Sequence, residues 1–321
     1  MNKHVVGSVG LIAVVAVSIY GYYHYSEVYP STDNAYVNAH LVNISPKING
    51  YIKNIYVEND QFVHKGDLLM TIDPQDYSLM LTKSKQDLLL ATQQADTAKQ
   101  QINVAKANVS KAQSDYDYAN KMAIRYSDLF QQKAASEQDM QRYQNQAAQA
   151  KQALEQAKVG LAQANTQYTA ATTQVDLAKT GVENAQNNTN YTELRAPVDG
   201  YISNQNLQTG ELVGLGQKLF GMVDNQTWWI DANFKETQIR RIKIGQPVTI
   251  VLDMYDHKYQ GIVKSIGYAS GNTFSLLPAE NATGNWVKVT QRFTVRVTLK
   301  NDPKYPLRVG ASSKVTVDTS N

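Results

Sequence analysis

A stretch that occurs twice, far apart, limits what this chain can fold into. Residues 50–72, GYIKNIYVENDQFVHKGDLLMTI, return 150 positions later as residues 200–222, GYISNQNLQTGELVGLGQKLFGM. Gly50, Tyr51, Ile52, Val63, Gly66 and Leu69 match Gly200, Tyr201, Ile202, Val213, Gly216 and Leu219, and Pro46 or Pro197 leads each copy in. Two copies are too few, and the period is too long, for a solenoid or an array. The pattern predicts one small domain assembled from two half-motifs, with a long insertion between them.

The insertion, free of proline from Gln75 to Ala196, reads as an antiparallel coiled-coil hairpin. On its first arm, every seventh residue from Leu81 to Phe130 and from Tyr77 to Tyr126 falls on a seam where only Ser84 is polar. The returning arm repeats the pattern from Met140 to Val182 and from Tyr143 to Ala185. Repeated alanines allow the two axes to approach the lower end of the usual ~8–10 Å spacing. Residues 131–136 break the seam. Ser136, followed by Glu137 and Asp139, reads as an N-cap with acidic first-turn residues, which puts the hairpin tip there. Arms of this length reach roughly 80 Å at helical rise, a device for reach or docking. Basic and acidic residues nearly balance along the arms, as on a solvated outer face. A coil between two chains is the alternative; the symmetry about the tip favours pairing within one chain.

Both flanks read as β. Turn signals stand at Asn49-Gly50, His64-Lys65-Gly66, Asp199-Gly200 and Leu215-Gly216. A run of strands begins at Trp228–Phe234 and continues through Val248–Leu252, Gly261–Ile266, Val287–Leu299 and Lys314–Val317, which suggests a small barrel. Lys235–Ile242, KETQIRRI, looks like a short helix covering one end of it.

At the N-terminus, Val5–Tyr23 carries no charge and is long enough to span a hydrocarbon core of roughly 30 Å. Lys3 precedes it, and Tyr20, Tyr22, Tyr23 and Tyr25 form an interfacial belt at its far end. The positive-inside rule then keeps the short tail in the cytoplasm and exports everything after Pro30. The alternative is a cleaved signal peptide, although no small-x-small site follows the apolar run.

Chemistry-bearing constellations are few. A net charge of +3 does not point to nucleic acid. The absence of cysteine excludes disulfides, thiolate metal sites, a catalytic thiol and a lipidated cysteine. The five histidines, His4, His24, His40, His64 and His257, show no metal-ligand spacing, and no phosphate-cradling or nucleophile-elbow motif occurs. Asp73 and Asp224 end the two half-motifs and read as caps before acid/base catalysts. Arg240, Arg241 and Lys243 form a basic cluster that could face anionic lipid or an acidic partner, or simply end a solvated helix.

With SPKINGYI and APVDGYIS split by a coiled hairpin, TDNAYV at Thr32–Val37 and NFKETQIRRIKIGQPV at Asn233–Val248, the chain resembles the HlyD-type membrane fusion proteins. Within these it is similar to the EmrA-type adaptors of multidrug efflux. The resemblance implies a multidomain β plus α protein. Residues 1–28 would be tail and transmembrane anchor, 45–73 and 191–224 a lipoyl-like domain, 74–190 the hairpin, and 29–44 with 225–321 a β-barrel. It implies a non-enzymatic inner-membrane adaptor with its bulk in the periplasm and no cofactor. Its partners would be an inner-membrane transporter of the proton-driven major-facilitator type, a TolC-type outer-membrane channel and further copies of itself, as trimer or hexamer. Family tips that meet the channel carry Arg, Leu and Ser at the spacing of Arg125, Leu129 and Ser136. A guanidinium suits carbonyls or carboxylates at a partner's helical tip, and a leucine fills a groove. The bland reading is a surface charge, a packed leucine and an N-cap. Competing functions are a lipoyl or biotin carrier, a type I protein secretion adaptor and a structural envelope tether. The carrier reading lacks its lysine, because the coil replaces the turn after Met70–Asp73.

Overall fold

The computed structural model describes residues 16–22, 24–255, 257–270, 290–300, 302 and 304–320. The two half-motifs do fold into each other. Strand β2 (Gly50–Ile55) pairs with β7 (Leu212–Val213), and β6 (Gly200–Ser203) pairs with β3 (Phe62–Val63). Gly50 lies opposite Val213, and Gly200 opposite Val63, so one ladder maps onto the other under the 150-residue offset. The loops obey the same symmetry. Ile52 N–H donates to the Glu211 carbonyl (2.9 Å) and Ile202 N–H to that of Gln61 (3.0 Å); Gly216 N–H donates to Pro46 (3.0 Å) and Gly66 N–H to Ala196 (2.8 Å). At Gly50 an added Cβ would meet Ile72 Cγ2 at 2.5 Å, and at Gly200 it would run into the Val223 carbonyl. The shared glycine is therefore a requirement of close packing, against the Ile72 side chain at Gly50 and against the Val223 backbone at Gly200.

The sandwich is completed by β4 (Leu68–Ile72) and β5 (Glu193–Arg195) in one sheet and by parts of β1 (Ser31–Ile44) and β8 (Phe220–Lys235) in the other. Ile52, Leu69, Met70, Ile72, Ile202, Val213, Phe220 and Met222 fill its core. β1 and β8 do not stop there. They run on into a closed barrel of order β1-β12-β9-β10-β11-β8, with β8 pairing back onto β1. The other barrel strands are β9 (Pro247–Leu252), β10 (Lys258–Ser270), β11 (Arg292–Leu299) and β12 (Ser312–Val317). The sequence suggests a break at Asp224 and a new strand at Trp228; instead β8 is continuous through that polar stretch. Alternating small and large inward residues, Ala35, Val37, Ala232, Phe234, Ile250 and Val297, fill the barrel with an apolar core.

The hairpin rises from the sandwich as α1 (Gln75–Gln131) and α2 (Glu137–Asn190), roughly 80–85 Å long at 1.5 Å per residue. The seam positions from Tyr77 to Tyr126 and from Met140 to Ala185 are buried or half-buried, with Ala91, Ala95, Ala98 and Ile102 deepest on α1 and Ala147, Leu154, Ala164 and Ala185 on α2. One seam assignment is corrected. Phe130 is exposed and Leu129 is half-buried in its place. A strict heptad drifts by about 20° per repeat on an unsupercoiled helix, and α2, which begins only at Glu137, has no turn opposite Phe130 to hold the register.

The helix expected over Lys235–Ile242 shortens to α3 (Glu236–Ile239). Ile242 turns into the barrel core, and Gly245, at φ 92°, donates to the Val263 carbonyl to re-enter the sheet. Residues 16–22 and 24–28 are helical; among the described residues no helix is long and apolar enough to cross a membrane. The anchor expected over Val5–Tyr23 lies for its greater part outside the described residues, as do residues 287–289 of the strand expected from Val287.

Candidate functional site

The tip is a turn of five residues between two capped helix ends. Gln132 and Lys133 N–H donate to Asp128 and Phe130, Ala134 N–H donates to the Leu129 carbonyl (2.8 Å), and Lys133 takes φ 56° to reverse the chain. Ser136 caps α2: its Oγ accepts from Asp139 N–H (3.1 Å) and donates to Asp139 Oδ2 (2.6 Å). With its one proton and one lone pair committed, the hydroxyl keeps one lone pair for a partner. Arg125 and Leu129 lie four residues apart on one face of α1. Arg125 is exposed, and among the described residues its guanidinium has no hydrogen bond or ion pair; Leu129 is half-buried against the turn. The structure thus brings an unpaired cation, an apolar side chain and a capping hydroxyl to the far end of the hairpin.

The chemistry below the tip is not apparent from the spacing. Tyr126 and Tyr143 stack across the seam with ring centroids 4.0 Å apart. Hydrogen bonding and electrostatic pairing with Tyr143 push the Tyr126 phenol above its ordinary value. Arg142 lies over the Tyr143 ring (5.2 Å) and pairs with Asp139 (2.9 Å), so the cap of α2 is tied to the stack. The available signal was two tyrosines at facing seam positions, nearly equidistant from the break.

The second cluster lies at the barrel end next to the N-terminal helical residues. Arg240, Arg241 and Lys243 are all exposed, but they are not equivalent. Arg241 reaches Glu27 Oε2 at 3.3 Å, while Arg240 and Lys243 have no ion pair among the described residues. Buried Gln246 fixes the loop that carries them, accepting from Lys243 N–H (2.8 Å) and donating to the Arg241 carbonyl (3.3 Å). Ile244 stands exposed beside them.

The phrases TDNAYV and NFKETQ are partners in space. Thr32 Oγ1 donates to the Asn233 carbonyl (3.0 Å), Asn233 Nδ2 to Asn34 Oδ1 (3.1 Å), and Gln238 Nε2 to the Ser31 carbonyl (3.0 Å). Asp231, which sequence does not single out, accepts from Asn38 Nδ2 (2.9 Å), Trp229 Nε1 (3.0 Å) and Arg296 Nε (2.9 Å) on the outer barrel face. Asp73 and Asp224 cap turns: Asp73 accepts from Gln75 N–H (3.2 Å) and Asp224 from Gln226 N–H (2.8 Å). Among the described residues no group of three His, Asp or Glu could hold a metal.

Residues 40–225 match the RND MFP barrel-sandwich hybrid domain, and residues 227–318 match the AAEA-like beta-barrel domain. The chain is an HlyD-type membrane fusion protein of the EmrA branch. It is 36% identical to the multidrug export protein EmrA of Escherichia coli (strain K12), over 96% of this chain and 80% of that one. It is also 36% identical to the colistin resistance protein EmrA of Acinetobacter baumannii, over 97% and 92%. Among solved structures, MacA from Actinobacillus actinomycetemcomitans aligns with TM-score 0.52 at 21% identity, over 89% of this chain and 80% of that one, a likeness of fold.

Proposed function

We propose that this fusion protein is the periplasmic adaptor of a tripartite multidrug efflux pump, joining an inner-membrane transporter to a TolC-type outer-membrane channel. The observation that carries the reading is Arg125, exposed and unpaired among the described residues, at the end of a roughly 80 Å hairpin in a chain whose relatives are named as multidrug export and colistin resistance proteins. The chain contributes reach and docking. Energy comes from the transporter, of the major-facilitator type, and several hairpins in a ring of three or six copies surround the channel mouth. Val5–Tyr23 anchors the chain, leaving the bulk in the periplasm. Arg240 and Lys243, with no ion pair among the described residues, face the transporter or anionic lipid, while Arg241 holds the junction to the anchor through Glu27.

Docking by Arg125, Leu129 and Ser136 is tested with Arg125→Asp. It reverses the offered charge on an exposed side chain with no partner among the described residues, so the hairpin should stay folded. Loss of one such anchor costs about 2 kcal/mol or more of binding, about thirtyfold in affinity. The expected result is drug hypersensitivity and a lost crosslink to the channel, with unchanged circular dichroism. Leu129→Asp is a less clean probe because Leu129 also packs on the turn, and its thermal midpoint has to be measured alongside. Normal resistance and full channel capture by Arg125→Asp would return the residue to a surface charge.

A further inference from the structure

A cavity of about 450 Å³ opens where the sandwich meets the barrel. Tyr201 and Val223 form its sandwich wall; Trp228, Leu307 and Val309 form its barrel wall. The walls are firm. Tyr201 is braced edge-on by Phe62 at 5.1 Å between ring centroids, and Trp228 and Leu307 are each only 4% exposed. That volume falls within the range of small-molecule sites, and the lining mixes apolar and aromatic side chains with Asp60, Ser203 and Arg308.

The polar groups are specific. Asp60 lines the cavity from the sandwich and Arg308 from the barrel, and both are exposed. Each backbone is fixed, Asp60 N–H donating to the Ile202 carbonyl (2.9 Å) and the Arg308 carbonyl accepting from Ala311 N–H (3.2 Å). Among the described residues neither side chain has an ion-pair partner, and they are not paired with each other. Two opposite charges that line one cleft, one from each domain and neither in an ion pair among the described residues, are complementary to one ligand that carries both signs.

We infer that this cleft binds a small aromatic zwitterion, its ring against Tyr201, its ammonium on Asp60 and its carboxylate on Arg308. A ligand held from both walls would also brace the sandwich against the barrel. The inference goes beyond the efflux reading and does not depend on it.

The test is photolabelling of the full-length chain in detergent with free 4-benzoylphenylalanine, followed by peptide mapping. Label should saturate and concentrate in the peptides carrying Tyr201–Ser203 and Leu307–Val309. Asp60→Asn, which keeps a residue tolerant of φ 64°, and Arg308→Gln should each reduce it at least fivefold, with unchanged thermal midpoints. Benzophenone-4-carboxylate and 4-(aminomethyl)benzophenone, each bearing one charge, should label at least fivefold less. Equal labelling by a single-charge probe, labelling indifferent to both substitutions, or label spread along the chain would overturn the inference.

Discussion

Asn49 and Asp199 occupy equivalent positions in the two half-motifs and make the same hydrogen bond, one neutral and one charged. Asn49 Oδ1 accepts from Leu215 N–H (2.6 Å) and Asp199 Oδ1 from Lys65 N–H (2.7 Å), each closing the other half's turn. The charged copy adds a pH dependence. Accepting the Lys65 N–H holds the Asp199 carboxyl below its ordinary value, assisted by the Gln226 amide. Because the folded value is depressed, this stabilisation is fully present above the unfolded value near pH ~3.9 and is lost as pH falls through the folded value. Asp199→Asn copies what Asn49 already does. It should leave the thermal midpoint at pH 7 within about 3 °C and flatten the acid limb of midpoint against pH. A steeper acid limb in the variant would assign the acid sensitivity elsewhere.

Among the elements, the hairpin was the most legible because its signal is redundant: two seams of alanine, leucine and tyrosine set the register over many heptads, and a polar break marked the tip. Ala164 and Ala171 lie on that seam, Ala164 buried and Ala171 half-buried, whereas Gln163 is exposed. Replacing both alanines with leucine overpacks a close contact at a cost of roughly 1–3 kcal/mol. The double variant should therefore melt lower and weaken efflux, and Gln163→Leu should do neither. Equal midpoints for the two would mean that the alanines do not face α1. The sandwich was legible for a different reason: Gly50 and Gly200 mark close approaches that admit no side chain, so the repeat survives in the sequence. Three features were not legible. β8 crosses Asp224–Thr227, a polar stretch that reads as a turn because neither core covers it. Leu129 replaces Phe130 where the partner helix has ended. The Asp231 cluster depends on a partner 193 positions away, Asn38, which no local pattern records.

For the whole molecule, the architecture is a single line of load from the barrel to the hairpin tip. β1 and β8 are shared by barrel and sandwich, and α1 and α2 leave the sandwich directly from β4 and enter β5. β1 and β8 cross unbroken from barrel to sandwich, and two residues separate β4 from α1 and α2 from β5, so a movement at the barrel would be carried to the hairpin. The lower end of the line is set by the N-terminal segment, which enters beside the last strand: Thr319 donates to the Val28 carbonyl through both N–H (3.1 Å) and Oγ1 (2.7 Å), and Val317 N–H donates to Pro30. Removal of residues 1–26 keeps these bonds. It should yield a folded chain in the soluble fraction after a high-salt wash, while the full chain needs detergent and begins at its own N-terminus. The salt wash separates two modes of attachment. Contact through Arg240 and Lys243 alone is electrostatic and is screened within roughly 3 Å at 1 M salt, whereas a spanning helix is indifferent to salt. A truncated chain that still sediments with washed membranes, or a membrane-purified full chain whose first residue lies beyond position 20, would remove Val5–Tyr23 as the anchor.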